Sequence, residues 1–280
     1  MAKITIQTLR DKKARGERMT FLTAYDYPFA ILEQKAEIDV ILVGDSIGMV
    51  VYGYDSTLPV TIDLMMPSVK AVRLGAPDVY LVGDMPYMSY QPSVPEAIRN
   101  AGRFMAEASC DAVKVEGGRE MAETVRAMSN ATIPVMSHIG LTPQAVAQLG
   151  GYKAQGRDLT TATRLIEDAK ILEEAGASTL LLEAVPAEVA GIITRRASVP
   201  VFGIGAGPDC DGQVLVIHDI LGMFDRRPPK FVKKYKEVGN QILEGLREFK
   251  QDVASGTFPA KEHCYPMPAD VAAELEKLYP

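Results

Sequence analysis

Cysteine is scarce in this chain of 280 residues. The three present, Cys110, Cys210 and Cys264, stand far apart, and no Cys-x-x-Cys pair occurs. That argues against a disulfide framework or a zinc knuckle and fits thiols kept in a reducing compartment. Histidine is equally sparse. His138, His218 and His263 show no ligand spacing toward one another or toward the cysteines, which disfavours zinc. Positive charge is in the minority, with 30 Lys and Arg against 36 Asp and Glu and a net charge of −6. A nucleic-acid binder needs the reverse balance to displace counterions from phosphates. The one basic stretch, residues 226–236, gives way to acidic residues at once and reads as a solvated helix start. Long apolar runs are missing too. The first 18 residues hold no signal-peptide core. The longest stretch without Asp, Glu, Lys or Arg, residues 127–152, is interrupted by Pro134, His138 and Pro143 and is no membrane span. The expectation is a cytoplasmic protein with neither nucleic-acid nor membrane partners.

What is present is ordinary globular composition, 47% hydrophobic and 24% charged, enough for a sizeable core. At ~150 residues per domain the length suggests about two domains, whereas a β/α barrel takes ~250 residues in one unit. An internal echo decides between them. Asp39-Val-Ile-Leu-Val-Gly-Asp45 recurs as Asp78-Val-Tyr-Leu-Val-Gly-Asp84. Weaker copies are Asp111-Ala-Val-Lys-Val-Glu116 and Ser178-Thr-Leu-Leu-Leu-Glu183. Each is a short apolar run ending in a carboxylate, the pattern of a strand buried on both faces. Met19–Ala24, Ile133–Met136, Val199–Phe202 and Gln213–Ile217 bring the expected strands to eight. Helical patterns lie between them, opening at Ser93-Val-Pro-Glu96 and running over 119–128, 160–175, 186–196, 229–254 and 268–278. Eight strands alternating with helices imply a parallel sheet, either a closed barrel or an open doubly wound sheet. The closed (β/α)8 barrel is favoured, as one domain over 1–280 with Ile4–Gly16 as a lid helix over its bottom and helices at its C-terminus. No linker-like composition divides the chain.

In such a barrel the strand C-termini carry the active site. Here those ends bear Asp45 and Ser46, Asp84, Lys114 and Glu116, His138, and Glu183. Three acids at one mouth repel unless a cation sits among them, and an oxygen-only donor set suits Mg²⁺. The competing reading makes Asp45 and Asp84 helix N-caps. Lys114 lies between Val113 and Val115 and so points inward, toward a substrate carboxylate or an oxyanion, or simply toward Glu116 or Asp84. Glu183 leaves an apolar strand, where a raised pKa would suit a general base or the carboxylate would pair with a cation. His138 is a candidate substrate contact or a structural histidine. Gly203-Ile-Gly-Ala-Gly207 is a weak phosphate-loop signal, because Pro208 follows and no helix-start fingerprint fits.

Read together, Gly44-Asp-Ser-Ile-Gly-Met49, Gly53-Tyr-Asp-Ser-Thr-Leu-Pro-Val60, Gly83-Asp-Met-Pro86, Val113-Lys-Val-Glu-Gly-Gly118, His138-Ile-Gly-Leu-Thr-Pro-Gln144, Leu182-Glu-Ala-Val-Pro186 and Gly203-Ile-Gly-Ala-Gly-Pro208 resemble the ketopantoate hydroxymethyltransferase family. The likeness continues through residues 210–216 and covers about Thr5 to Phe249. Ser137 and Ala184 stand where the family commonly has Gly and Cys. The resemblance implies a barrel of the phosphoenolpyruvate/pyruvate type. It also implies transfer of a hydroxymethyl group from 5,10-methylenetetrahydrofolate to 3-methyl-2-oxobutanoate, giving 2-dehydropantoate for pantothenate and coenzyme A, through a Mg²⁺-stabilised enolate. It places Asp45, Asp84 and Glu116 around the metal, puts Asp45, Ser46, Asp84 and Lys114 on the keto acid, makes Glu183 the proton acceptor and makes the assembly a homodecamer. A Mg²⁺-dependent lyase or mutase of a small oxo-acid is the alternative within enzymes. A catalytically dead barrel serving as a scaffold would have lost one of these five charged residues, and all are present.

Overall fold

The computed structural model describes residues 2–224 and 228–280. These fall into two compact units, residues 2–220 with 228–233, and 221–224 with 234–280. The first contains eight parallel strands in a closed barrel, ordered as in the sequence. They are β1 (Met19–Thr23), β2 (Val40–Val43), β3 (Tyr80–Asp84), β4 (Ala112–Glu116), β5 (Val135–Gly140), β6 (Thr179–Glu183), β7 (Val201–Ile204) and β8 (Gly212–Leu215). Every strand pair is parallel, and β8 closes on β1 through Met19↔Gly212 to Leu22↔Leu215. The eight expected strands are therefore found. Pro134 and Pro200 stand one residue ahead of β5 and β7, where each still accepts a neighbouring N–H through its carbonyl.

Alternation fixes which side chains fill the barrel. Phe21, Val40, Leu42, Tyr80, Val82, Ala112, Met136, Leu181, Phe202 and Val214 form a continuous buried cluster, with Phe21 edge-on to Phe202 at 5.1 Å. The residues between them face the surrounding helices. Gly83 is one, and a Cβ there would collide with Phe104. Ser137 is another. It is fully buried, and its hydroxyl has no hydrogen-bond partner. A buried unsatisfied hydroxyl costs about 1–3 kcal/mol. Ser137→Ala is therefore expected to raise stability by about 1 kcal/mol in urea unfolding, and a loss of stability would show that Ser137 is satisfied after all.

The helix Ile6–Arg15 is opened by a Thr5 cap and ended by left-handed Gly16. It lies at the N-terminal end of the barrel. Leu9 and Ile4 join the interior cluster. Lys12 pairs with Asp39, and Lys13 meets Asp211 at 2.7 Å. Lys3 and Arg73 meet Asp111 at 2.8 and 2.5 Å. Asp39, Asp111 and Asp211 also accept the N–H groups of Thr20, Leu81 and Val201 on the preceding strand. Asp39 and Asp211 thus each tie a neighbouring strand to the helix Ile6–Arg15, and Asp111 ties one to Lys3 just ahead of it.

Some helix bounds differ from expectation. Residues 119–121 form a 3-10 turn before the helix Ala122–Asn130. The link between β7 and β8 holds no helix. In the second unit the helix starts at Val238, not at Pro229, and runs to Ser255. Residues 228–237 are irregular, and within them Lys234 pairs with Glu237 at 2.9 Å. Of the basic stretch, Arg226 and Arg227 lie outside the described residues. Helices Val238–Ser255 and Ala269–Leu278 bury none of their own side chains. No helix among the described residues is long and apolar enough to cross a membrane.

Candidate active site

Two residues above the apolar layer, the inward positions of β3 to β6 turn polar. The register pairs Asp84 with Lys114, Glu116 with His138, and Gly140 with Glu183. Five acid–base side chains thus converge at one end, and Asp45 joins them from the turn after β2. All but Glu183 are buried. Glu183 keeps 16% of its side chain exposed. Gly140 has φ 98° and touches the Glu183 carbonyl so closely that no Cβ would fit.

Lys114 sits at the centre. Its ammonium donates to Glu116 Oε1 at 2.8 Å and lies 3.0 Å from Asp84 Oδ1. The plain salt-bridge version of its role is present in this geometry. Glu116 Oε1 also lies 3.3 Å from His138 Nδ1, and His138 Nε2 lies 3.3 Å from Glu183 Oε2. Asp84 Oδ2 accepts the N–H of Asp45 at 2.9 Å. The N-cap reading fails for Asp45, because the short helix Ile47–Val50 begins at Ser46 without any side-chain cap bond. Ser46 Oγ instead pairs with the Tyr25 hydroxyl at 2.8 Å.

Burial and charge set the protonation states. Burial, with the Asp84 carboxylate beside it, pushes Asp45 well above the usual carboxylate range. Burial also raises Asp84, with Glu116 adding to it and Lys114 opposing. Burial opposes charge on Lys114, but Asp84, Glu116 and Asp45 outweigh it and hold the amine well above its ordinary value. Burial would likewise raise Glu116, yet Lys114 and His138 bring it down to about 2. Burial and Lys114 press His138 downward. The bonds from Glu116 and Glu183 prevail and hold it at about 9, so the ring is an imidazolium at neutral pH.

That shift has a stability consequence of defined sign. The folded His138 binds its proton more tightly than an unfolded one of pKa 6.5. Its contribution, on the order of 3 kcal/mol, is complete below pH 6.5 and is lost as pH rises through 9. Urea unfolding should therefore weaken between pH 6.5 and 9.5, and His138→Gln should flatten that part of the profile. An unchanged slope in the variant would assign the loss to another group.

Four carboxylates crowd this mouth, and their mutual repulsion is what a divalent ion would offset. Among the described residues no three His, Cys, Asp or Glu side chains form a ready-made metal cluster. The donors present still fit a hard cation that keeps several waters and takes one or two carboxylates. Asp84 Oδ1 is buried with the Lys114 ammonium 3.0 Å away as its ion-pair partner, and Asp45 and Asp84 are the acids whose charge burial disfavours. Both Glu116 oxygens are already engaged, Oε1 as above and Oε2 by the N–H of Gln144 at 3.0 Å. The sequence reading missed Gln144, Tyr90 and Tyr25 as parts of this site. Gln144 lies within a quoted motif, but nothing in its residue type signals the role.

Known proteins are similar at two levels. The chain matches, over residues 3–261, the family described as Ketopantoate hydroxymethyltransferase. It is 53% identical to the 3-methyl-2-oxobutanoate hydroxymethyltransferase of Syntrophomonas wolfei over 279 residues and 50% identical to that of Carboxydothermus hydrogenoformans, covering 100% of each chain. Its fold is similar to that of phosphonopyruvate hydrolase in complex with oxalate and Mg²⁺, with a TM-score of 0.62, 14% identity, and coverage of 99% of this chain and 95% of that one. It is also similar to 2,3-dimethylmalate lyase, a member of the PEP mutase/isocitrate lyase superfamily, with a TM-score of 0.58, 14% identity and full coverage of both chains. The distant pair shows the fold alone, whereas the family match over residues 3–261 and the close relatives over the full length concern the sequence itself, and by them the chain belongs to the ketopantoate hydroxymethyltransferase family.

Proposed function

We propose that this enzyme transfers a hydroxymethyl group from 5,10-methylenetetrahydrofolate to 3-methyl-2-oxobutanoate, forming 2-dehydropantoate on the route to pantothenate and coenzyme A. The observation that carries this reading is the buried Asp45–Asp84–Lys114–Glu116–His138 cluster with a partly open Glu183 at its edge. Asp45 and Asp84 would hold Mg²⁺, with Glu116 beside them, restrained by Lys114, His138 and the Gln144 N–H. When bound, the ion supplies Lewis acidity toward the carboxylate and keto oxygens of the substrate.

The protein's own residues do the rest. Lys114 presents fixed positive charge where negative charge develops on the keto oxygen as C3 loses its proton. Asp45, Asp84 and Ser46 orient the acid, with Ser46 braced by Tyr25. Glu183 takes the proton at C3, and the electron-rich carbon then forms the new C–C bond to the one-carbon unit, whose bonds to the folate nitrogens break; water supplies the hydroxyl group, and the folate leaves protonated at nitrogen as tetrahydrofolate. The His138 imidazolium stands between Glu183 and Glu116, orienting the base and adding positive charge near the substrate. The same reading makes the working form a cytoplasmic homodecamer.

The test is formation of 2-dehydropantoate with and without the folate and with and without Mg²⁺. Turnover should need both, and excess chelator should stop both product formation and deuterium exchange at C3. Full activity in chelator would remove the metal from the mechanism. Folate-independent cleavage of a C–C or P–C bond would replace the transferase reading with a lyase or mutase.

A further inference from the structure

Gln144 carries no charge and has no part in the chemistry above, yet every hydrogen-bonding position of its side chain is filled. Its Nε2 donates to Asp45 Oδ2 at 2.9 Å and to the Met85 carbonyl at 3.0 Å. Its Oε1 accepts from the Tyr90 hydroxyl at 2.7 Å and from Gln91 Nε2 at 3.1 Å. Both Gln144 and Tyr90 are buried. The amide cannot be turned over. The Met85 carbonyl can only accept, which fixes Nε2 on Met85 and Asp45 and leaves Oε1 for the Tyr90 hydroxyl, whose proton lies nearer Gln144, at 2.7 Å, than the Glu116 carbonyl, at 3.3 Å.

We propose that Gln144, oriented by Tyr90, is a positioning residue. It ties one oxygen of Asp45 to the protein, leaves the other for ion and substrate, and holds Glu116 back through its backbone N–H. This rests on the metal-dependent reading of the site. Mg²⁺ demands near-ideal octahedral geometry and keeps several waters. An Asp45 free to rotate could offer both oxygens to the ion or swing toward Lys114. A neutral amide prevents this without adding charge. A Lys or Arg in its place would compete with the ion, and an acid would repel Asp45. The bond also favours the ionised form of Asp45, against its burial.

The test uses purified full-length protein, Mn²⁺ as a paramagnetic probe, and deuterium exchange at C3 of the keto acid. Gln144→Leu should weaken Mn²⁺ binding about 10- to 100-fold. It should also lower the exchange kcat at saturating Mn²⁺, since the acid is then misplaced, and alter the Mn²⁺ spectrum. A merely structural residue would change unfolding but neither the spectrum nor the kcat of the folded fraction. Tyr90→Phe should weaken Mn²⁺ binding less, and adding it to Gln144→Leu should weaken it no further, because Tyr90 acts through the amide. If Gln144→Leu does not fold, the isosteric Gln144→Glu keeps the volume, sets a second carboxyl against Asp45 and should show at least the same loss. Wild-type affinity and exchange in either folded variant would overturn the proposal alone. A wild-type protein that binds no Mn²⁺ would overturn it together with the functional reading.

Discussion

Glu183→Gln is expected to slow solvent deuterium exchange at C3 of 3-methyl-2-oxobutanoate by about 10²–10⁴-fold, the usual worth of a positioned general base, while the keto acid still binds. Glu183 ends β6 on its inward-facing side. Alone among the acids of the site it retains appreciable exposure, so it can reach a substrate bound above the cluster and exchange its proton afterwards. The other acids have other work. Glu116 is locked between Lys114, His138 and Gln144, and Asp45 and Asp84 answer each other through a backbone bond. The amide of Gln fills the same space, so binding measured by calorimetry should survive while exchange followed by NMR should not. Wild-type exchange in this variant would disqualify Glu183 as the base.

Lys114→Met should produce the largest loss of stability, about 3–5 kcal/mol, as expected when one partner is removed from a buried ionic cluster. Met fills nearly the same volume, so the effect isolates the charge. Asp84 and Asp45 would lose the cation that opposes their burial, and Glu116 would keep only His138. The sign with pH follows from the raised Lys114 pKa. Its contribution is present throughout the range below 10.5 and fades only as pH climbs through the higher folded value, so it is complete at pH 8. In the variant the stranded acids take up protons as pH falls, and the deficit should shrink toward pH 5. Urea unfolding of metal-free protein at both values reads this directly. A deficit below about 1 kcal/mol at pH 8 would place Lys114 with exposed ion pairs. Turnover should be lost along with stability.

Both predictions concern residues that the sequence exposes to view. A strand buried on both faces reads as an unbroken apolar run, so a carboxylate at its end stands out, and so does Lys114, set opposite its two valine neighbours; the structure turns it inward, onto Asp84 and Glu116. The eight strands were legible for the same reason. Gln144, Tyr90 and Tyr25 were not. They are uncharged, they sit in connecting segments, and their partners lie up to 99 positions away, so no local periodicity marks them. Charge pattern misled in one place. Residues 229–237 share the composition of a helix start, but the chain stays irregular until Val238. The missing helix between β7 and β8 follows from a link rich in Gly and broken by Pro208, the same features that make its phosphate-loop signal weak.

The segment at the N-terminal end also bears on access. Ile4 and Leu9 pack under the apolar layer of the barrel, and Lys3, Lys12 and Lys13 are bound to three aspartates there, so that end is closed to ligands. For the reaction proposed, keto acid and folate would share the opposite rim, and product would leave by the way its substrate came.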